Sequence, residues 1–115
     1  MQQTDNQNSN KSPETSEQFY NRLCALSDEE VVQEMASHFF SITMIAHFIG
    51  MPADELRNTI NFDETHILSK AYWRGKAKTE IMLRFDTLKF AKAGNPLATV
   101  EMKDYLSQQT IDENA

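Results

Sequence analysis

Glycine and proline are scarce in this chain, with three of each among 115 residues. Strands would need more turn residues than that, and more β-branched residues in alternation with polar ones. The plentiful residues are instead Leu, Ala, Met, Glu, Lys and Gln, which favour helices, and no sheet-like run is present. The sequence therefore predicts a single small all-α domain with one modest core.

The two ends of the chain carry little that could join a core. Residues 1–14 are rich in Gln, Asn, Ser and Thr and contain no apolar residue after Met1. Burial could not offset the entropy lost in ordering such a segment. We therefore predict a disordered arm over 1–14, a helical domain over 15–109 and a loose tail over 110–115.

Targeting and redox signals are absent from the sequence. The first residues lack the basic start and the apolar stretch of a signal peptide, and the longest apolar stretch, 39–51, is too short to span a bilayer. The single cysteine, Cys24, excludes an internal disulfide framework, and we expect it to be buried as a small hydrophobe. These features predict a cytoplasmic protein that does not contact a membrane.

Helix-start and helix-stop signals divide the predicted domain. In chain order they are Ser16 as a cap, a capping box in Ser27-Asp28-Glu29-Glu30, Ser41 or Thr43 as a cap, Gly50 as a stop, Pro52 in a first turn, Asp63 or Thr65 as a cap, and Gly94-Asn95-Pro96 as a stop. We expect a long helix over about 66–93 and a shorter C-terminal helix over about 97–108.

The segment 43–60, TMIAHFIGMPADELRNTI, has the features of a helix-turn-helix unit. Ala46 is small where two helices would cross closely, and Gly50 follows four residues later, where a sharp turn is needed. Leu56 and Ile60 would hold the second helix against the core. The opposite face of that second helix would then be free to enter a major groove.

This unit and the segment after it resemble a known family: the helix-turn-helix proteins of bacteriophages and mobile elements, of the terminase small subunit type. The first matching part is IAHFIGMPADELRNTI and the second is AYWRGKAKTEIMLRFDTLKFAKAGNPLATVEMKDYLSQQ. The residues that carry the second part are Tyr72, Arg74-Gly75, Leu83-Arg84, Phe90-Ala91, Gly94-Asn95 and Tyr105-Leu106. Ser107 stands where that family usually has Gly, and Glu101 and Lys103 occupy positions that are more often apolar.

The resemblance implies a DNA-recognising subunit that assembles into rings or other oligomers. Such a subunit would deliver viral DNA to a large motor ATPase and would have no nuclease or nucleotide site of its own. The sequence agrees with that implication, because it contains no Gly-rich phosphate loop and no Gly-x-Ser-x-Gly turn. We expect no enzyme activity and no cofactor.

The charge of the chain is strongly uneven along its length. The net charge is −6, which argues against a simple nucleic-acid binder. Residues 66–93, however, hold seven basic and two acidic side chains, whereas residues 1–65 hold three basic and eleven acidic ones. Three of the basic residues, Lys70, Arg74 and Lys78, recur at every fourth position and so share a helix face.

Two groups of residues are candidates for contact with double-stranded DNA. Arginine can bind guanine, and asparagine can bind adenine, through two hydrogen bonds each. The candidates on the second helix of the unit are Ala53, Arg57, Asn58 and Asn61. Beyond it, Lys70, Arg74 and Lys78 could contact phosphates. The alternatives are that the second helix is simply part of the core, and that the basic face is solvated or pairs with the acidic N-terminal half.

The long helix is apolar on several sides. Ile81, Phe85 and Leu88 form a seam with coiled-coil spacing, and a helix of this kind needs cover. A second copy of the chain would provide it, so we predict a homo-oligomer that assembles through these three residues. The alternative is that the first and last helices cover the seam within one monomer.

Metal and acid–base sites are not supported by the spacing of their usual residues. His38, His47 and His66 match no ligand pattern with Cys24, and the acid pairs fall at helix starts, where capping explains them. We predict neither metal-binding nor catalytic residues. The alternative to a DNA-binding function is a non-catalytic protein-interaction module on the same helical scaffold.

Overall fold

The computed structural model describes residues 12–115, and in that range the chain is all helical, with no strand. The helices are α1 (Ser16–Cys24), α2 (Asp28–Ser37), α3 (Ile42–Ile49), α4 (Ala53–Phe62), α5 (Ile67–Lys92) and α6 (Pro96–Glu113). The predicted all-α class and the order of a long helix before a shorter C-terminal one are confirmed. Within the same range, no helix combines the length and the hydropathy that crossing a membrane requires.

The predicted arm lies mostly outside the described residues, whereas most of the predicted loose tail is helical. Residues 1–11 of the arm lie outside the described range, but Glu14 accepts two hydrogen bonds from the Arg22 guanidinium, at 2.8 and 2.9 Å. That contact lowers the pKa of Glu14 and ties the segment before α1 to the helix. At the other end, α6 continues to Glu113 rather than stopping near 108, because no Gly or Pro follows Pro96 to end it.

The helix starts follow local side-chain chemistry. The predicted capping box at Ser27 is confirmed, and the backbone N–H of Ser27 lowers the pKa of Glu30 by bonding to its carboxylate. α1 begins one residue earlier than expected, because Thr15 and Gln18 form a second capping box. Ser41 caps α3.

His66 caps α5, whereas the sequence predicted Asp63 or Thr65 in this role. The Thr65 hydroxyl donates to Asp63 Oδ1 at 2.9 Å, so these two side chains bond to each other. His66 Nδ1 accepts from the backbone N–H of Leu68 at 3.1 Å instead. The long helix therefore begins slightly later than the sequence predicted.

The core lies among α2, α3, α4 and the first half of α5. Its buried residues are Leu23, Val31, Val32, Met35, Ile45, Ala46, Leu56, Ile60 and Ala71. Cys24, which we expected to be buried, is exposed. It follows Leu23 at the end of α1, and the helical rotation of about 100° per residue turns it away from the side that packs.

α2 and α5 approach each other closely enough for backbone contact. A Cβ atom added at Gly75 would lie 2.0 Å from the backbone oxygen of Gln33, so only glycine fits at this crossing. One turn later, the Thr79 hydroxyl donates to the backbone oxygen of Ser37 at 2.6 Å. These two contacts fix the long helix on the core.

The second half of α5 extends beyond the core and pairs with α6. Gly94, at φ 97°, and Asn95, which caps α6, turn the chain between them as predicted. In this hairpin only the small residues Thr87 and Ala98 are buried. The radius of gyration is 17.9 Å, against about 13 Å for a compact domain of this length. The molecule is therefore a small core with a projecting helical hairpin.

Gly50 ends α3 with φ 77°, in the left-handed region. A side chain there would meet no atom within 4 Å, so the cost of a substitution is backbone strain rather than a clash. We expect Gly50→Ala to lower the free energy of unfolding by about 1–2 kcal/mol, and Gly50→Asn to lower it by less, because asparagine tolerates this conformation. Urea denaturation followed by circular dichroism measures both. Equal losses for the two variants would contradict the explanation.

Candidate nucleic-acid interface

The helix-turn-helix unit is formed by α3, the turn at Gly50 and α4. The Met51 backbone N–H donates to the oxygen of Ala46 at 3.0 Å, which closes the turn. Ala46 is fully buried, as its predicted place at a close helix crossing requires. Leu56 and Ile60, at 0% and 2% exposed, anchor α4 to the core. The opposite face of α4 faces solvent.

Four predicted DNA-contacting residues lie on α4, and they differ in surroundings. Asn58 and Asn61 are exposed, and their side chains form no hydrogen bond with any other residue in the range 12–115. Ala53 is half-buried against the core, so only part of its methyl group is open. Arg57 is half-exposed, and its guanidinium is hydrogen-bonded to two other side chains. The two amides are thus the groups most available for a new partner.

Arg57 is held by two contacts within the helix-turn-helix unit. Its guanidinium donates to Asp54 Oδ1 at 2.9 Å and to the Thr43 hydroxyl at 2.9 Å, so it spans α3 and α4. An exposed ion pair of this kind is worth about 0.2–1 kcal/mol, whereas a paired contact of Arg with guanine discriminates by about 1–3 kcal/mol. The internal contacts orient Arg57 without being strong enough to prevent its use in binding.

Phe62 belongs to the same outward face and was not predicted. Its side chain is 83% exposed at the end of α4. Asp54, Asn58 and Phe62 recur at every fourth residue, so the spacing alone would have placed Phe62 beside Asn58. An exposed phenylalanine here can make apolar contacts, either with a thymine methyl group or with a protein.

The basic residues of α5 begin where α4 ends. The Ser69 hydroxyl and Trp73 Nε1 both donate to the backbone oxygen of Ile60, at 3.2 and 3.3 Å. Lys70 and Arg74 each follow one of these two residues directly, so the stripe Lys70, Arg74, Lys78 starts beside the end of α4. All three of its side chains are exposed.

The stripe makes no ion pair with an acidic residue of the described part of the chain. The ion pairs found there are Arg22 with Glu14 and Glu34, Arg57 with Asp54, and Arg84 with Glu80. The alternative prediction, that the basic face neutralises the acidic N-terminal half of the same chain, therefore has no support among residues 12–115. Three neighbouring cations remain open to an external anion.

Acidic residues oppose the binding of phosphate at the start of α4. Asp54 and Glu55 are both exposed there, and Asp54 is partly neutralised by Arg57. The exposed surface is therefore acidic at the start of α4. It is cationic along the first half of α5, which begins beyond the end of α4. A DNA backbone would be attracted to the α5 side.

The predicted seam, Ile81, Phe85 and Leu88, is open to solvent. The three side chains are 68%, 71% and 40% exposed. α6 packs on another side of α5, where the Arg84 guanidinium lies 4.2 Å from the centre of the Tyr105 ring. α1 lies against the core and also leaves the seam open. Cover of the seam by the first and last helices, the alternative prediction, is therefore not observed among residues 12–115.

Metal-ligand geometry does not occur in the described range, where no three His, Cys, Asp or Glu side chains converge. His38 instead packs against Phe19, with ring centres 4.6 Å apart. His66 is the cap of α5, and His47 is exposed on α3.

Comparisons of the chain with protein families, with curated proteins and with solved structures find no significant match.

Proposed function

We propose that this protein binds double-stranded DNA through α4 and the cationic stripe of α5, and that it does so as an oligomer. The observation that carries the proposal is the juxtaposition of two amides, Asn58 and Asn61, with the three cations of the stripe, which begins at the end of the same helix. None of these five side chains has a hydrogen-bond or ion-pair partner among residues 12–115. Amides read base edges and cations hold phosphates, so the two groups supply the two parts of DNA recognition.

Oligomerisation compensates for the small number of cations in one chain. Three phosphate contacts contribute a slope of about −2.7 in a plot of log affinity against log salt. A chain with a net charge of −6 needs more than that for tight binding. Linking several chains makes each further contact effectively intramolecular and multiplies the affinity without new chemistry. Ile81, Phe85 and Leu88, exposed on α5, are the residues proposed to join the chains.

The finer assignment rests on the resemblance of the sequence to the terminase small subunit type. Under that assignment the oligomer presents DNA to a separate large motor ATPase and itself performs no catalysis. The absence of a nucleotide-binding loop from the sequence is compatible with such a division of labour.

The decisive experiment is a binding titration of the full chain with a labelled DNA duplex across salt concentrations. We expect affinity to fall steeply with salt, with a slope of about −2.7 for each subunit engaged. Sedimentation of the same samples counts the subunits. Undetectable binding even at low salt would overturn the proposal.

Asn58 is expected to specify an adenine. Once a preferred duplex has been selected from a random pool, Asn58→Ala should lose about 1–3 kcal/mol of discrimination at one base pair and little affinity elsewhere. The matched control is Asn21→Ala, at an exposed asparagine on α1. A uniform loss across all base pairs would show that Asn58 does not read sequence.

The second candidate function is a protein-interaction module. It is favoured by the exposed Phe62 side chain at the end of α4, on the same face as Asp54 in the first turn, because a surface with both apolar and acidic groups suits a basic protein surface. The two functions differ in what Arg57→Ala does. DNA binding predicts a loss of sequence preference, whereas the module predicts unchanged partner binding.

A further inference from the structure

An apolar groove runs between α1 and α3. Phe19 and Tyr20 of α1 form one wall and Met44 and Phe48 of α3 form the other, with Leu23 and Met35 as the floor. Tyr20 is 57% exposed and Met44 is 53% exposed. Grooves lined by aromatic and methionine side chains accept the apolar face of a helix, because methionine adapts its shape to the guest.

The seam of α5 has the dimensions of such a guest. From Ile81 to Leu88 a helix advances about 10.5 Å, and α3, which forms one wall of the groove, is about 12 Å long. The three seam side chains therefore extend over nearly the length of α3. Ile81 and Phe85 project from one face of a regular helix at the spacing that helix-in-groove anchors use.

The seam cannot fill the groove of its own chain. α5 is a single helix, fixed to α2 at Gly75 and Thr79, and the seam lies on a different side of α5 from these two residues. Neither Ile81 nor Phe85 lines the groove, and both remain exposed in the folded chain. A seam in the groove has to come from another molecule.

The helices that line the groove and the helix that carries the seam have opposite net charges. Residues 16–49, which form the three helices that line the groove, hold five acidic and one basic side chains, a net −4. Residues 67–92, which form α5, hold seven basic and two acidic side chains, a net +5. Lys89 and Lys92 flank the seam and are not part of the stripe, so a docked seam brings two lysines to helices of net negative charge.

We propose that the α5 seam of one copy docks into the α1–α3 groove of a second copy, so that the assembly interface is heterologous. The inference rests on the oligomer of the proposed function and names the surface that receives the seam. Because seam and groove are different surfaces, each copy offers one of each to its neighbours. Association of the hairpins with one another and capture of an unrelated helix are the competing outcomes.

The test uses two full-length variants, Met44→Asp for the groove and Phe85→Asp for the seam. Both side chains are exposed in the single chain, so we expect the helical circular dichroism to be unchanged. Sedimentation at micromolar concentration should show each variant alone associating at least about tenfold more weakly than the original chain. A one-to-one mixture should form a two-chain complex and nothing larger, because it contains one intact seam and one intact groove.

The control is Ile111→Asp, the same change at an α6 residue that is 70% exposed, against 71% for Phe85. We expect this variant to associate like the original chain. Normal association of Met44→Asp would overturn the proposal in favour of hairpin-to-hairpin packing, and a monomeric original chain would overturn it outright. Sedimentation measures the mass of the assembly, whereas the salt titration measures DNA binding. A failure of the proposed interface is therefore distinguishable from a failure of DNA binding.

Discussion

Gly75→Ala is expected to lower the free energy of unfolding by about 3 kcal/mol, at the upper end of the cost of overpacking a core. The added Cβ would lie 2.0 Å from the backbone oxygen of Gln33 and 2.9 Å from its carbonyl carbon. Because these atoms belong to the backbone of α2, no side-chain rotation can relieve the contact. The two helices would have to separate, and the buried residues between them would lose contacts.

The sign of the change in the free energy of unfolding distinguishes an effect of packing from an effect of helix propensity. In an exposed helix, Gly→Ala stabilises by about 1 kcal/mol, so propensity alone predicts the opposite outcome. The melting temperature should fall by about 4–8 °C for each kcal/mol lost. Ala77→Gly, at an exposed position two residues along α5, is the control and should cost only the propensity difference. An increase in melting temperature for Gly75→Ala would show that α2 and α5 are not in close contact.

Replacing Lys70, Arg74 and Lys78 together by Gln is expected to lower DNA affinity by two to three orders of magnitude at about 0.1 M salt. Each phosphate contact contributes about 0.9 to the salt slope, so losing three removes about 2.7 per subunit. The effect is large because no acidic residue of the described chain pairs with the stripe, so its three charges are not already neutralised.

The salt titration checks this expectation directly, and single variants refine it. Arg74→Gln should reduce the slope by about 0.9 per subunit. Lys103→Gln removes the same charge from α6, away from the stripe, and should leave the slope unchanged. Sedimentation of the triple variant shows whether the assembly survives. An unaltered slope in the triple variant would remove the stripe from the DNA interface.

Local signals in the sequence predicted most of the helix boundaries. Gly50 and Gly94 end helices because they adopt conformations that other residues avoid, and Ser27 starts one because its hydroxyl and Glu30 satisfy backbone groups nearby. Such interactions span only a few residues, so they can be read without the fold. The start of α5 was missed because Thr65 and Asp63 bond to each other, a competition that residue types alone do not rank.

Contacts between distant segments could not be predicted in this way. The bond from Arg57 to Thr43 joins residues fourteen positions apart and depends on how α3 crosses α4. The closeness of α2 and α5 at Gly75 is equally invisible, because a glycine within a helix carries no indication of what lies opposite. The groove between α1 and α3 likewise arises from packing, although each of its apolar residues was evident in the sequence.

The continuity of α5 has a mechanical consequence. Its 26 residues extend for about 39 Å, with the cationic stripe in the first half and the seam in the second. A continuous helix fixes the distance along its axis between the stripe and the seam. In the proposed DNA-binding oligomer, the pitch and angular step between neighbouring copies would therefore set where successive cations fall along a duplex, and assembly geometry would act as a ruler for the spacing of bound DNA segments.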